Sequence, residues 1–356
     1  MIHGNTTTFR ELSISIGYWN FVVFFYVIIR YWHPETLAHE GILTIVGHMI
    51  QRALIFGSVL GVIFHTMKSA VGHKNLTRLS YGKLIIYRSL SYIMVFLALI
   101  AVYSMIKVFN IYGLSNREAF RMDFFTADTI ISIGAMLVFA ALYDLLSQVA
   151  LKFGKNNFWK MLIGRYHFPK EEEKIFMFLD LQSSTTIAEK LGHRKYSEFI
   201  QECFRDISVI GNYGGEVYQF VGDEAVFTWD AHETKSTKNS IEAFFAFQKR
   251  ILTRNVFYKD RFDHVPVFKA GLHGGQVMVA EVGLLKKEIA FHGDTINTAA
   301  RIQQMCNEKE RIFLTSDYFK PVLEKSDKYS FEDMGDILLK GRQSVIKLYH
   351  PILSGS

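Results

Sequence analysis

Apolar and polar positions are unevenly distributed along the chain. Up to about Leu151 long apolar runs dominate, whereas from Lys152 onward charged residues, glycines and turn formers recur as in a globular domain. The apolar half divides into four stretches, 11–32, 41–67, 84–109 and 125–151, each near or above the roughly 20 residues a helix needs to cross ~30 Å of hydrocarbon. The first is too long for the apolar part of a cleaved signal peptide, and no small-residue cleavage site follows it. The pattern predicts an all-α transmembrane bundle of four helices over 1–151, a linker over 152–173 and an α+β domain over 174–356.

Charge orients this arrangement. The connection 68–83 carries Lys68, Lys74, Arg78 and Lys83 with no acid, and Lys152, Lys155, Lys160 and Arg165 follow the fourth stretch, whereas 34–40 is acidic. The positive-inside rule then puts both termini in the cytoplasm, which predicts a multi-pass protein of the inner (plasma) membrane with a cytoplasmic soluble domain. Because many basic residues border apolar runs, the net charge of +6 needs no nucleic-acid partner. Cys203 and Cys306 both lie in the soluble half and form no paired-thiol pattern, as expected in a reducing compartment.

His48, Gln51 and Arg52 fall inside the second stretch, and ionisable groups there are costly and often functional. A bis-histidine haem site on this helix would need His48 and His65, 17 positions apart, about 25 Å of rise and out of phase. The third and fourth stretches contain no His. The preferred expectation is that Arg52 pairs with an acid such as Asp128 or lines a dimer interface. A ligand of the bundle cannot be named from sequence.

The segment LIGRYHFPKEEEK (162–174) contains Pro169, which argues against a continuous helix, and its charge run is expected to be solvated. Next comes KIFMFLDLQSSTTIAEKLGH, an apolar strand ending near Asp180 that passes into a helix beginning near Thr185. Phe199, Ile200, Cys203, Phe204, Ile207 and Ile210 give the following helix one buried face. EVYQFVGDEAVFTW reads as a hairpin with Asp223 near its tip, and VFKAGLHGGQVMVAEVG as a second hairpin. EIAFHGDTINTAARIQQMC then runs from strand into helix, with Asn297 and Arg301 four apart on one face.

Two carboxylates at adjacent strand ends suit a pair of divalent cations on a triphosphate. An amide and a guanidinium on one helix face suit a ribose and a phosphate gaining negative charge. Each feature alone is common in turns and on solvated helices.

FLDLQSST, GGEVYQFVGDEAVF and HGDTINTAAR, in that order, resemble the class III adenylyl/guanylyl cyclase catalytic domain from about Lys174 to the C-terminus. The resemblance implies a βααββαβ core acting as a head-to-tail homodimer, with Asp180 and Asp223 holding two Mg²⁺ or Mn²⁺ ions. Asn297 and Arg301 of the other protomer would place the ribose and stabilise the transition state, and Lys340, in ILLKGR, would contact the phosphates.

The base-selecting code departs from the family's. Adenine-selecting members carry Lys and Asp or Thr, and guanine-selecting members Glu and Cys, at the positions that Gln219 and Ala290 occupy here. ATP is the expected substrate, because a Gln in this hairpin is similar to bacterial adenylyl-type cyclases; GTP, or a weakly active regulatory module, is the alternative. The related diguanylate cyclases need two glycines before the acidic pair, where this chain has Val221 and Gly222, and they have no counterpart to Asn297 and Arg301.

Overall fold

The computed structural model describes residues 3–31, 46–47, 50–51, 53–71, 81–112, 127–232, 235–338 and 345–354. The chain divides into two units, 1–152 and 153–356. In the first, the apolar runs form helices α1 (His3–Tyr31), α2 (Ser58–Val71, entered through a π-helical turn at Ala53–Gly57), α3 (Tyr81–Tyr112) and α4 (Ala127–Phe153). Among the described residues two segments, Glu11–Ile28 and Ile130–Ala150, are long and apolar enough to cross a membrane, and Ala53–Met67 and Ile86–Ala98 are shorter apolar stretches. His48, Arg52 and the side chain of Asp128 lie outside the described residues; Gln51 is exposed and His65 is buried.

Small residues let α1 and α2 approach. A Cβ on Gly61 would fall 2.5 Å from Ile16 Cα, and one on Gly57 would collide with Asn20. Around this contact Trp19, Phe64, Tyr92 and Phe96 are buried together, with Trp19 and Phe64 ring centroids 4.2 Å apart. The bundle also buries a charged pair not foreseen from sequence. Arg88 Nη1 lies 3.6 Å from Asp144 Oδ1, to which the Tyr92 hydroxyl donates at 3.1 Å.

The second unit begins with α5 (Lys155–Leu162) and β1 (Lys170–Leu181). The remaining elements are α6 (Ser184–Ile207), β2 (Glu216–Val221), β3 (Glu224–Asp230), α7 (Ser236–Thr253), α8 (Asn255–Phe262), β4 (Phe268–Val282), β5 (Glu288–His292), α9 (Asp294–Glu308), β6 (Phe313–Ser316), α10 (Lys320–Glu324), β7 (Tyr329–Ile337) and β8 (Ile346–Leu353). The strands form one mixed sheet in the order β2-β3-β1-β4-β6-β8-β7, with β5 pairing to β4. Non-helical backbone at Gly192 (φ 73°, ψ 160°) breaks α6 into two helices. The order β1, two helices, β2, β3, α7, β4 follows the expected βααββαβ core, with α8 added as a short extra helix ahead of β4.

Alternation along β1 assigns its faces. Ile175, Met177, Leu179 and Leu181 enter the large core under α6, α7 and α8. Phe176 and Phe178 enter a second cluster with Val226, Val277, Val279, Phe291 and Ala299, the last on α9. Both faces of the strand are therefore covered, which explains its nearly continuous apolar run.

Two local expectations are corrected. The run 170–174 is solvated only in part: Lys170 and Glu171 are exposed, but the run opens β1, and Glu172 and Lys174 are only 8% and 3% exposed. Lys174 Nζ pairs with Glu172 at 2.8 Å and Asp230 at 3.2 Å, which compensates the burial of charge. Residues 268–282 form the single strand β4, not a hairpin. Its glycines make room for neighbours instead of turning the chain: a Cβ at Gly274 would strike the Tyr318 ring, and one at Gly271 would strike the backbone of α9.

Candidate active site

Asp180 is the penultimate residue of β1 and pairs with Lys269 of β4. It shares its face with Phe176 and Phe178, the side covered by α9. The exit from β1 is tight, since Ser183 takes a left-handed φ of 59° immediately before α6 starts at Ser184. Asp223 is the second residue of the two-residue β2–β3 turn, closed by the pairing of Val221 with Glu224. The first turn residue, Gly222, has φ 62°, the positive value that a type II′ turn demands there.

The turn carries Asp223 to Asp180. The Asp180 carboxyl is pushed above its ordinary range by burial and then by the neighbouring Asp223 charge, partly offset by a hydrogen bond from the Gln303 side chain. Glu224 is raised as well, by burial and by the charges of Asp180 and Asp223. Like charges held this close favour a divalent cation. Among the described residues no group of three His, Cys, Asp or Glu side chains could hold a metal ion. Two carboxylates nevertheless fit Mg²⁺ or Mn²⁺, which take one or two carboxylates and complete their shells with phosphate oxygens and water.

Asn297 and Arg301 lie on α9, which follows Gly293 (φ 145°) at its N-cap and is pinned by the Thr295 hydroxyl donating to Gln276 O at 2.6 Å. Asn297 is exposed, and its amide nitrogen donates to Gly293 O at 3.2 Å. Arg301 is half-buried, and its Nη1 has no hydrogen-bond partner. Among the described residues no ion pair joins it to Asp180 or Asp223. One protomer therefore brings the two carboxylates together and carries the guanidinium separately.

The expected base-reading pair is not gathered on one face within a protomer. Gln219 is exposed and pairs with Val226 on the side of the second cluster. Ala290 alternates away from Ile289 and Phe291, the β5 residues of that cluster. At the β2 irregularity it is Tyr218 that reaches β5, its ring 4.9 Å from that of Phe291. Lys340 lies outside the described residues.

Glu224 and Gln303 were not singled out from the sequence. Gln303 left a signal, because it interrupts the inward stripe of Ala299, Ile302 and Cys306, and a buried amide needs a partner.

Residues 168–350 match the adenylate and guanylate cyclase catalytic domain model, and the chain belongs to that family. A relative, adenylate cyclase 2 of Rhizobium meliloti (strain 1021), is 32% identical over 211 residues, covering 57% of each chain. The photoactivated adenylate cyclase subunit beta of Euglena longa is 22% identical over 153 residues, 43% of this chain and 17% of that one. The chain thus spans little more than half of the first of these relatives and a smaller part of the second. The solved structure of a bacterial light-regulated adenylyl cyclase superposes with a TM-score of 0.51 at 20% identity, over 62% of this chain and 64% of that one. This last likeness is one of fold.

Proposed function

We propose that the chain is a membrane-anchored adenylate cyclase that converts ATP into 3′,5′-cyclic AMP and pyrophosphate between two copies of its soluble unit. The observation that carries this reading is a division of charge within one protomer. Asp180 and Asp223 crowd together at the end of β1 and the β2–β3 turn, while half-buried Arg301 keeps a guanidinium nitrogen without a partner. Among the described residues no basic side chain pairs with these two carboxylates and no acid pairs with the guanidinium, an arrangement that suits a charged ligand held between protomers in a head-to-tail homodimer.

In this reading Asp180 and Asp223 hold two Mg²⁺ or Mn²⁺ ions, which when bound activate the 3′-hydroxyl and neutralise the departing pyrophosphate. The 3′-oxygen attacks the α-phosphorus, the bond to pyrophosphate breaks, and the hydroxyl proton leaves to solvent. Asn297 of the partner subunit positions the ribose, so that the attack is in line. Arg301 of the partner subunit donates to the oxygens on which charge accumulates. Gln219 and Ala290 border the purine, and Lys340 steadies the phosphates. The name of the relative with 32% identity supports ATP over GTP.

The four apolar stretches form the anchor, with both termini on the cytoplasmic side of the inner membrane. Residues 152–173 transmit its state, possible because Tyr166 is part of the same buried cluster as Ala299 of α9. A small rotation of one protomer would separate the carboxylates from the partner's Arg301 and halt turnover. A ligand of the membrane unit is left unnamed.

The test is turnover by the purified full-length chain with ATP and with GTP separately, in Mg²⁺ and then Mn²⁺, with the product identified by mass. Cyclic AMP as the main product supports the reading, cyclic GMP reassigns the base, and no product from either overturns the activity. Arg301→Ala should lower kcat by about 10²-fold or more.

A further inference from the structure

Gln303 is 5% exposed, although a glutamine side chain is seldom found inside. Its place follows from Gly271. A Cβ there would collide with the Gln303 backbone nitrogen and fall 2.6 Å from Ala299 O, so only glycine lets α9 lie this close to β4. Gly271 pairs with Phe178 of β1, two residues before Asp180 on the same face. A side chain leaving α9 at 303 can therefore run along the β1–β4 pair towards the end of β1, and the amide of Gln303 there counteracts part of the rise of the Asp180 carboxyl. The amide offsets part of the effect of the neighbouring Asp223 charge.

We infer that Gln303 is a positioning residue for Asp180 of its own protomer, so that α9 serves two sites at once: its own through Gln303 and the neighbouring one through Arg301. This rests on the reading above, in which Arg301 acts across the dimer. Displacing α9 disturbs the carboxylates of one site and the guanidinium of the other together, which couples the two.

The first test needs no turnover. In full-length protein saturated with 3′-deoxy-ATP, which cannot cyclise, the Mn²⁺ concentration giving half of the metal-dependent rise in melting temperature is compared between wild type and Gln303→Met. Loss of the amide should raise it about tenfold or more, as for other partners of metal ligands. An unchanged midpoint in a folded variant overturns the inference; Gln303→Leu is the second variant if Gln303→Met does not fold.

The second test uses mixed dimers of a chain bearing Arg301→Ala and a chain bearing Asp180→Asn. Together they build one competent site, from Asp180 of the first and Arg301 of the second. No activity in the mixture overturns the shared-site reading itself, before Gln303 is considered. If the mixture is active, Gln303→Met on the Asp180-bearing chain should lower turnover several-fold more than the same change on the Arg301-bearing chain. Equal loss from either placement overturns the assignment to Asp180.

Discussion

The Tyr166 hydroxyl lies 3.1 and 3.0 Å from the two carboxylate oxygens of Glu172, so the segment ahead of β1 is fastened to the strand that ends in Asp180. Arg165 Nη2 donates to the same carboxylate at 2.9 Å, and the Tyr166 carbonyl accepts from Glu281 N of β4 at 2.9 Å.

This fastening is pH-dependent. Burial by itself would raise the Glu172 carboxyl, but hydrogen bonds from Lys174, Tyr166 and Arg165 and the Lys174 charge hold it at about 2. A carboxyl depressed in the fold contributes stability that is complete above its unfolded pKa and is lost as pH falls from there through the folded one. Glu172→Gln should therefore cost about 3 kcal/mol at neutral pH by leaving Lys174 under-paired. The difference from wild type should shrink as pH falls from about 5 towards 2. Urea denaturation across that range checks this, and a pH-independent difference would contradict it.

The crowding of Asp180 and Asp223 predicts a trade between stability and activity. Asp180→Asn removes one of two like charges and keeps the side-chain shape. In EDTA at neutral pH the variant should melt a few degrees above wild type, with turnover lost. A lower melting temperature for the variant would mean that the two carboxylates do not repel in the fold.

Gly271→Ala tests the approach of α9 to β4. The added methyl meets backbone atoms that cannot swing aside, and such overpacking costs about 1–3 kcal/mol. Chemical denaturation measures it. A wild-type midpoint would show that the helix stands further off.

The two cysteines should be inert. Both are fully buried; burial pushes the Cys203 thiol well above its usual range and that of Cys306 up to about 12. Neither should be alkylated by iodoacetamide in the native protein at pH 8, whereas both should react once it is unfolded. Rapid native labelling at either would contradict the packing.

Local chemistry made part of this molecule legible in advance. Asp223 had a turn to announce it, since a glycine before an acid between two β-rich runs leaves few alternatives. Asp180 closed an apolar run, and the helix of Asn297 and Arg301 followed a glycine. What stayed hidden depends on contacts far apart in sequence. Gly274 and Gly275 look like a turn until Tyr318 and Thr295 are found against them. Glu172 and Lys174 look solvated until Tyr166 and Asp230 close over them. In the bundle, sequence distance gave no reason to join Arg88 and Asp144, which pair among the described residues.

The bend at Ser183 restricts how this site can drift through mutation. With φ at 59°, position 183 excludes β-branched residues and admits little beyond Gly, Asn, Asp and the serine present. The two-residue link from β1 to α6 thus has a narrow set of neutral variants. In a saturation library position 183 should stand out as intolerant even though it performs no chemistry, because it sets the distance between the strand that ends in Asp180 and the helix that follows.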